Sequence, residues 1–134
     1  MVSIGAAGCS SHAAIKPAPG TLPAGTAELS VNGSTAQVTD AVRCESIEWM
    51  RTIRTGDADS GVTVMLSNAN KLVAEFVRFH DFGGFTGSYD RQLQGEAAVA
   101  MTGPTYRIAG TAVGFADAKP TRRTTAPFEL RVSC

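Results

Sequence analysis

The sequence predicts an all-β fold: an antiparallel β-sandwich or curled sheet of about eight strands behind a disordered N-terminal tether, with at most one short helix. Three observations lead there. Apolar and polar residues alternate in short runs spaced near ten residues, turn-forming Gly, Asn, Asp and Pro separate the runs, and no long amphipathic helical pattern occurs. Strands without crossover helices cannot pair in parallel, so parallel α/β folds are excluded.

The 134 residues suit one domain. Twelve basic and twelve acidic side chains cancel with no run of like charge, so the chain has no electrostatic footprint for nucleic acid and no nucleic-acid partner is expected. Of the three cysteines, Cys9, Cys44 and Cys134, none forms a C-x-x-C pair, and the two histidines lie far apart. Zinc-type spacings are therefore absent, and neither metal nor cofactor is expected. No stretch reaches the roughly 18 apolar residues of a membrane-spanning helix.

Residues 9–27 read as a flexible tether of Pro, Ala, Ser, Gly and Thr, because Pro17, Pro19 and Pro23 forbid regular helix or central strand. A single β-domain is expected over residues 28–134. In "ELSVNGSTAQVTDAVRC" Leu29 and Val31 alternate with polar residues, Asn32-Gly33 supplies the positive φ angles of a tight turn, and Val38, Val42 and Cys44 share one parity. This reads as a β-hairpin. "SIEWMRTIR" continues in strand-favouring residues, "GDADSG" interrupts, and "VTVMLS" resumes with Val62, Val64 and Leu66 on one face, giving a second hairpin.

"KLVAEFVRFHDF" is apolar on both parities, the pattern of a strand covered on both sides, and Gly83-Gly84 ends it. "GEAAVAM" is the one piece compatible with a short helix, but its flanking glycines and Pro104 leave barely two turns, and strand is favoured. "TYRIAGTAVGF" follows. The closing strand places Phe128, Leu130, Val132 and Cys134 on one face and Glu129, Arg131 and Ser133 on the other.

If the strands carrying Val42 with Cys44, and Val132 with Cys134, turn those faces to the core, both sulfurs point inward. A bridge would close a loop of about 90 residues, which the chain-entropy model values at about 4–5 kcal/mol. Two buried free thiols are the alternative.

Candidate sites are few. His80-Asp81 is not assigned as a catalytic dyad, because neighbours on a strand point to opposite faces and no serine or cysteine nucleophile is placed by motif. "GDADSGVTVMLSN" is read as an acidic turn and not a calcium loop, since the sixth position is Val62 and the twelfth Asn68. Arg122-Arg123 reads as a solvated basic turn. Trp49, Phe76, Phe79, Phe82, Phe85 and Tyr89 cluster in the middle of the chain, where core packing is the first reading. In the alternative, Trp49, Phe76, Phe79, Phe82 and Phe85 line a cavity for a lipid or other hydrophobic ligand.

Ala6-Ala7-Gly8-Cys9, followed by Ser10-Ser11 and the tether, resembles the lipobox of bacterial lipoproteins. Residues 1–8 then read as the remnant of a signal segment, with translation expected to begin upstream of Met1 because a charged leader and most of the apolar core are missing. Beyond it, "SVNGSTAQVTDAVRC" carries a tight turn through Val38-Thr39 to a cysteine, Tyr106 to Gly114 follow Y-x-I-x-G-x-A-x-G, and Phe128 to Cys134 follow F-x-L-x-V-x-C. In order and spacing these stretches resemble the mycobacterial lipoprotein antigens of the LpqH (19 kDa antigen) type.

The resemblance implies a secreted, acylated, non-enzymatic lipoprotein at the outer face of the cytoplasmic membrane or the cell surface. It makes Cys9 the lipid site and the membrane anchor, and pairs Cys44 with Cys134. Surface exposure, adhesion or recognition of a host receptor would be its work, and carriage of a hydrophobic small molecule the alternative.

Overall fold

The computed structural model describes residues 19–57 and 59–134. They form ten antiparallel strands and, among the described residues, no helix: β1 (Thr26–Val31), β2 (Gln37–Thr39), β3 (Val42–Ile47), β4 (Met50–Gly56), β5 (Gly61–Ser67), β6 (Val73–Phe82), β7 (Phe85–Asp90), β8 (Glu96–Thr102), β9 (Thr105–Ala116) and β10 (Thr124–Ser133). The path across the sheet runs β2-β1-β10-β9-β7-β6-β5-β4-β3, with β8 paired to the first half of β9 beside β7. "GEAAVAM" is thus a strand, not a helix.

The outermost strands of that path, β2 and β3, are neighbours in sequence, joined only by Asp40-Ala41. What reads as one arm of a first hairpin is two short strands at opposite edges. Such a link is possible only if the sheet curls until its edges approach, and the Gly56 amide donates to the Ala41 carbonyl at 3.0 Å across the closing corner. The second arm of the expected hairpin breaks because Asp40 and Ala41 take no ladder partner, which adds a strand to the expected number. A further strand comes from "SIEWMRTIR", which folds back at Glu48-Trp49 into β3 and β4.

The curled sheet encloses one core. Phe79 of β6 packs against Phe82 and Phe85 with ring centroids 6.5 and 5.8 Å away, and against Phe128 of β10 at 5.3 Å. These contacts join the half of the sheet built on β3–β7 to the half built on β1 and β8–β10. Leu29, Val31, Ile53, Val64, Val77, Ile108 and Leu130 are buried around them. On the outer face Arg131 reaches Glu28 and Glu129 at 3.2 and 3.3 Å, and Arg107 reaches Glu129 at 2.9 Å, an exposed charge ladder that contributes little by itself.

β6 is not covered on both sides. Its register against β5 shifts so that Met65 faces Phe76 but Leu66 faces Ala74, leaving Glu75 extra, and against β7 His80 and Asp81 together oppose Thr86. Each bulge reverses which parity points inward: Ala74, then Val77 and Phe79, then Phe82 are buried, while Phe76 is half-exposed. Two changes of phase explain an apolar pattern on both parities. The Tyr89 hydroxyl donates to the Ala74 carbonyl beside the first bulge at 3.0 Å, and burial in this setting pushes the phenol up from its ordinary value.

β9 carries two glycines that its neighbours require. A Cβ on Gly110 would lie 1.9 Å from the Glu96 carbonyl oxygen, and one on Gly114 2.1 Å from that of Thr86, where β8 and β7 press successively on the same edge of β9. The spacing of the G-x-A-x-G motif is the spacing of these two close approaches.

Cys44 of β3 and Cys134 after β10 form a disulfide, with Cα atoms 5.9 Å apart. The bridge ties the β3 edge to the far half of the sheet across 90 residues of sequence. Reduction is expected to lower the stability of the folded domain by about 4–5 kcal/mol, read as a fall in the guanidinium unfolding midpoint, and an unmoved midpoint would contradict the closure described here. Tyr89→Phe, which deletes a buried hydrogen bond and leaves its shape, should cost about 1 kcal/mol in the same assay.

Candidate functional site

The described residues leave one end of the curled sheet unlike the other. At one pole stand the β3–β4 turn, the loop from β5 to β6, the β8–β9 turn and Cys134, and here the chain enters the domain: the Leu22 amide donates to Thr105 Oγ1 at 3.0 Å, and the Gly25 amide to the Ser133 carbonyl at 2.8 Å. Thr105 is buried and shares a hydrogen bond with Ser133, so the entry point is fixed on the end of the β9–β10 ladder.

Between these turns lies an open cleft of about 250 Å³. Trp49, Met50, Leu66, Leu72 and Met101 give it apolar walls, and Ser46, Glu48, Ser67 and Asn68 a polar margin. Arg51 crosses its base, with Nε donating to Ser46 Oγ at 2.9 Å and Nη1 to the Tyr106 hydroxyl at 3.2 Å. Its guanidinium also stands 5.9 Å from the Tyr106 ring centroid. Arg51 thereby holds β4 to β9, strands that share no ladder.

Glu48 takes φ 55 at the turn, a left-handed conformation that costs a non-glycine residue about 1–2 kcal/mol. At this turn Trp49, the largest apolar side chain in the protein, is 54% exposed, and Ile47 near it is 72% exposed.

The five aromatics singled out in the sequence are not brought together. Phe79, Phe82 and Phe85 fill the core, Trp49 sits on the β3–β4 turn, and Phe76 lies on the outer face under the Arg78 guanidinium, 3.8 Å from its centroid. Met101 and Tyr106 do share the cleft with Trp49, although the sequence marks Tyr106 only as the start of the Y-x-I-x-G-x-A-x-G stretch and Met101 not at all. Their only local signal is the Gly103-Pro104 turn that places them on adjoining strands. Cys9 lies outside the described residues.

At the opposite pole the turns are polar. Asp57 Oδ1 accepts the amides of Asp59 and Ser60 at 2.9 and 3.0 Å, so this carboxylate closes an ordinary turn. Arg123 donates to Gln94 Oε1 at 2.9 Å. The bulge also alters His80-Asp81: Asp81 has φ 47, and both side chains are exposed between the buried Phe79 and Phe82, so the expected opposite facing does not hold. Two hydroxyls stand beside Asp81: that of Ser60 donates to its carbonyl at 2.8 Å, and that of Thr86 accepts its amide at 2.9 Å. Among the described residues no three His, Cys, Asp or Glu side chains converge as metal ligands.

Hydrogen bonding to Asp81, followed by slight desolvation and the charge of Asp81, pushes the exposed Asp117 carboxyl up from its ordinary value, with Thr86 and His80 opposing. The Asp117 carboxyl thus stands beside that of Asp81 at this pole.

A family model described as the Mycobacterium 19 kDa lipoprotein antigen matches residues 20–134. The chain belongs to this family. A putative lipoprotein of Mycobacterium indicus pranii is 34% identical over 127 residues, covering 94% of this chain and 86% of the relative. Lipoprotein LpqH of Mycobacterium avium is 31% identical over 112 residues, 83% of this chain and 69% of its own. The probable lipoprotein LppE of Mycobacterium tuberculosis is 29% identical over 115 residues, 85% and 81% of the two chains. As a member of the 19 kDa antigen family, the protein is a lipoprotein of the mycobacterial type, and the stretches that carry the resemblance fall on β1–β3, β9 and β10, the strands that the disulfide and the two β9 glycines organise.

Because a raised carboxyl pKa in the folded state favours the protonated form, its contribution to stability is present below the ordinary Asp range near pH 4 and is lost as pH rises. Asp117→Asn should therefore raise the unfolding midpoint slightly at pH 7, and the difference from the parent should vanish near pH 3. A variant no more stable at pH 7 would remove the Asp81–Asp117 repulsion from the account.

Proposed function

We propose that the protein is an acyl-anchored, non-enzymatic lipoprotein of the mycobacterial envelope, carrying its lipid on Cys9 and presenting the β-domain at the outer face of the cytoplasmic membrane or at the cell surface. What carries the reading is the place of Cys9 within a chain of this family. It follows Ala6-Ala7-Gly8, lies outside the Cys44–Cys134 bridge, and precedes a proline-rich stretch leading into the domain. The M. indicus pranii relative aligns with 94% of the chain, a share that no contiguous stretch reaches without taking in Cys9.

A thiol at this position is the group that a lipoprotein diacylglyceryl transfer would modify, and processing before it would make Cys9 the N-terminus. The domain then works by display: its surface is presented for adhesion or for recognition by a host receptor. A filled aromatic core and an open cleft suit that role better than enclosure of a hydrophobic cargo.

The test is the intact mass of the protein made in a mycobacterial host, with the cell fractions assayed in parallel. The expected mass is that of a chain starting at Cys9 with acyl groups and one disulfide. Cys9→Ala should lose the acyl mass and leave the membrane fraction. An unacylated parent chain in the soluble fraction would refute the anchor.

A further inference from the structure

Exposed large apolar side chains are unevenly placed. Ile47 at the end of β3, Trp49 on the β3–β4 turn and Met101 on the β8–β9 hairpin are exposed to 72%, 54% and 48% at the pole where the chain enters the domain, and Trp49 and Met101 line one cleft there. Val38 and Leu93, the other exposed large apolar residues, lie on an edge strand and in the β7–β8 turn. The far pole, where the β4–β5, β6–β7 and β9–β10 turns meet, instead exposes Asp57, Asp59, Asp81, Asp117 and Arg122. Exposed large apolar side chains are thus concentrated at the entry of the tether, beside Glu48 and Lys71, whereas the turns at the other end expose charged ones.

Chain length links that polarity to a partner. Cys9 and Thr21 are twelve residues apart, and Thr21 lies against the β8–β9 turn, where a Cβ on Gly103 would meet its Cγ2 at 3.7 Å. Twelve residues span at most about 40 Å. A lipid on Cys9 holds the point where the chain enters this pole within about 40 Å of the lipid surface. Tethering at that distance raises the effective concentration of a second, weak contact into the millimolar range, where a few apolar side chains suffice. Tryptophan at a turn tip is suited to the boundary between head groups and acyl chains, with a ring that is mostly apolar and one N–H for the wet side.

We propose that the pole bearing Ile47, Trp49 and Met101 docks on the lipid surface that holds the anchor, so that the domain stands with its charged pole outward. The proposal rests on acylation of Cys9 and adds an orientation to it. Docking leaves β2, the β6–β7 turn and the loop before β10 as the surface met by any outside partner, and places the cleft between Trp49 and Met101 at the membrane.

Trp49 is the sole tryptophan, and Cys9 the one cysteine outside the disulfide, which makes a direct test available. The full chain is coupled through Cys9 to maleimide-bearing phosphatidylethanolamine in phosphatidylcholine vesicles, which anchors it whether or not the host acylates that residue. Failure to dock is thereby read separately from failure of acylation, which the intact mass reports. The coupled protein should show a blue-shifted Trp49 emission that brominated phosphatidylcholine quenches. The double variant Ile47→Asp, Met101→Asp should lose most of both effects while keeping the parent's near-UV circular dichroism and unfolding midpoint. Unshifted, unquenched emission from coupled parent protein would overturn the proposal. A blue shift that grows with protein concentration without vesicles would assign the face to a second copy and overturn it equally.

Discussion

Two residues, Asp40 and Ala41, set the shape of this protein. They connect strands that occupy opposite edges of a sheet nine strands across, and a link that short cannot cross an open sheet. Curling is thus a requirement of connectivity before any side chain packs. Phe79 and Phe128 meet because the curl brings β6 over β10, and Cys44 lies within bridging distance of Cys134 for the same reason. Short β2 and β3 also leave little edge for pairing with another chain, and the disulfide keeps those edges from drifting apart.

Much of the fold is legible from local chemistry. Asn32-Gly33 adopts positive φ at both residues as a tight hairpin demands, Gly83-Gly84 turns β6 into β7, and β10 buries Phe128, Leu130 and Val132 on one parity. Ser133, on the opposite parity, is nonetheless buried, since it ends the ladder against Thr105 and the incoming chain. What stayed hidden has a common cause: conformations that no residue type announces. The Glu48-Trp49 turn contains neither glycine nor asparagine, and the break at Asp40-Ala41 has no proline. The extra residues at Glu75 and Asp81 are detectable only once β5 and β7 are paired with β6.

The same division holds at the cleft. Cys9, Cys44 and Cys134 could be weighed from spacing and surroundings, because a tether or a strand parity is a property of the adjacent sequence. Trp49, Leu72 and the Met101–Tyr106 pair of the β8–β9 hairpin come from three segments, and only the curl brings that hairpin to the other two. Arg51 secures that arrangement by bonding to Tyr106 across two strands with no shared ladder. A search for aromatic runs finds Phe79, Phe82 and Phe85 instead, which are clustered in sequence because they fill one core.

The paired bulges of β6 bear on how a fold of this kind can vary. Each advances the strand by half a period, so Ala74, Phe79 and Phe82 face inward by virtue of two offsets that cancel over the length of the strand. Deleting or inserting one residue there would turn everything beyond it inside out, placing Gly83 or Asp81 where Phe82 meets the core. The Asp57–Ser60 turn and the loop of residues 117–123 carry no such phase. A change in chain length is consequently absorbed at the rims at less cost than within β6, which behaves as a reading frame.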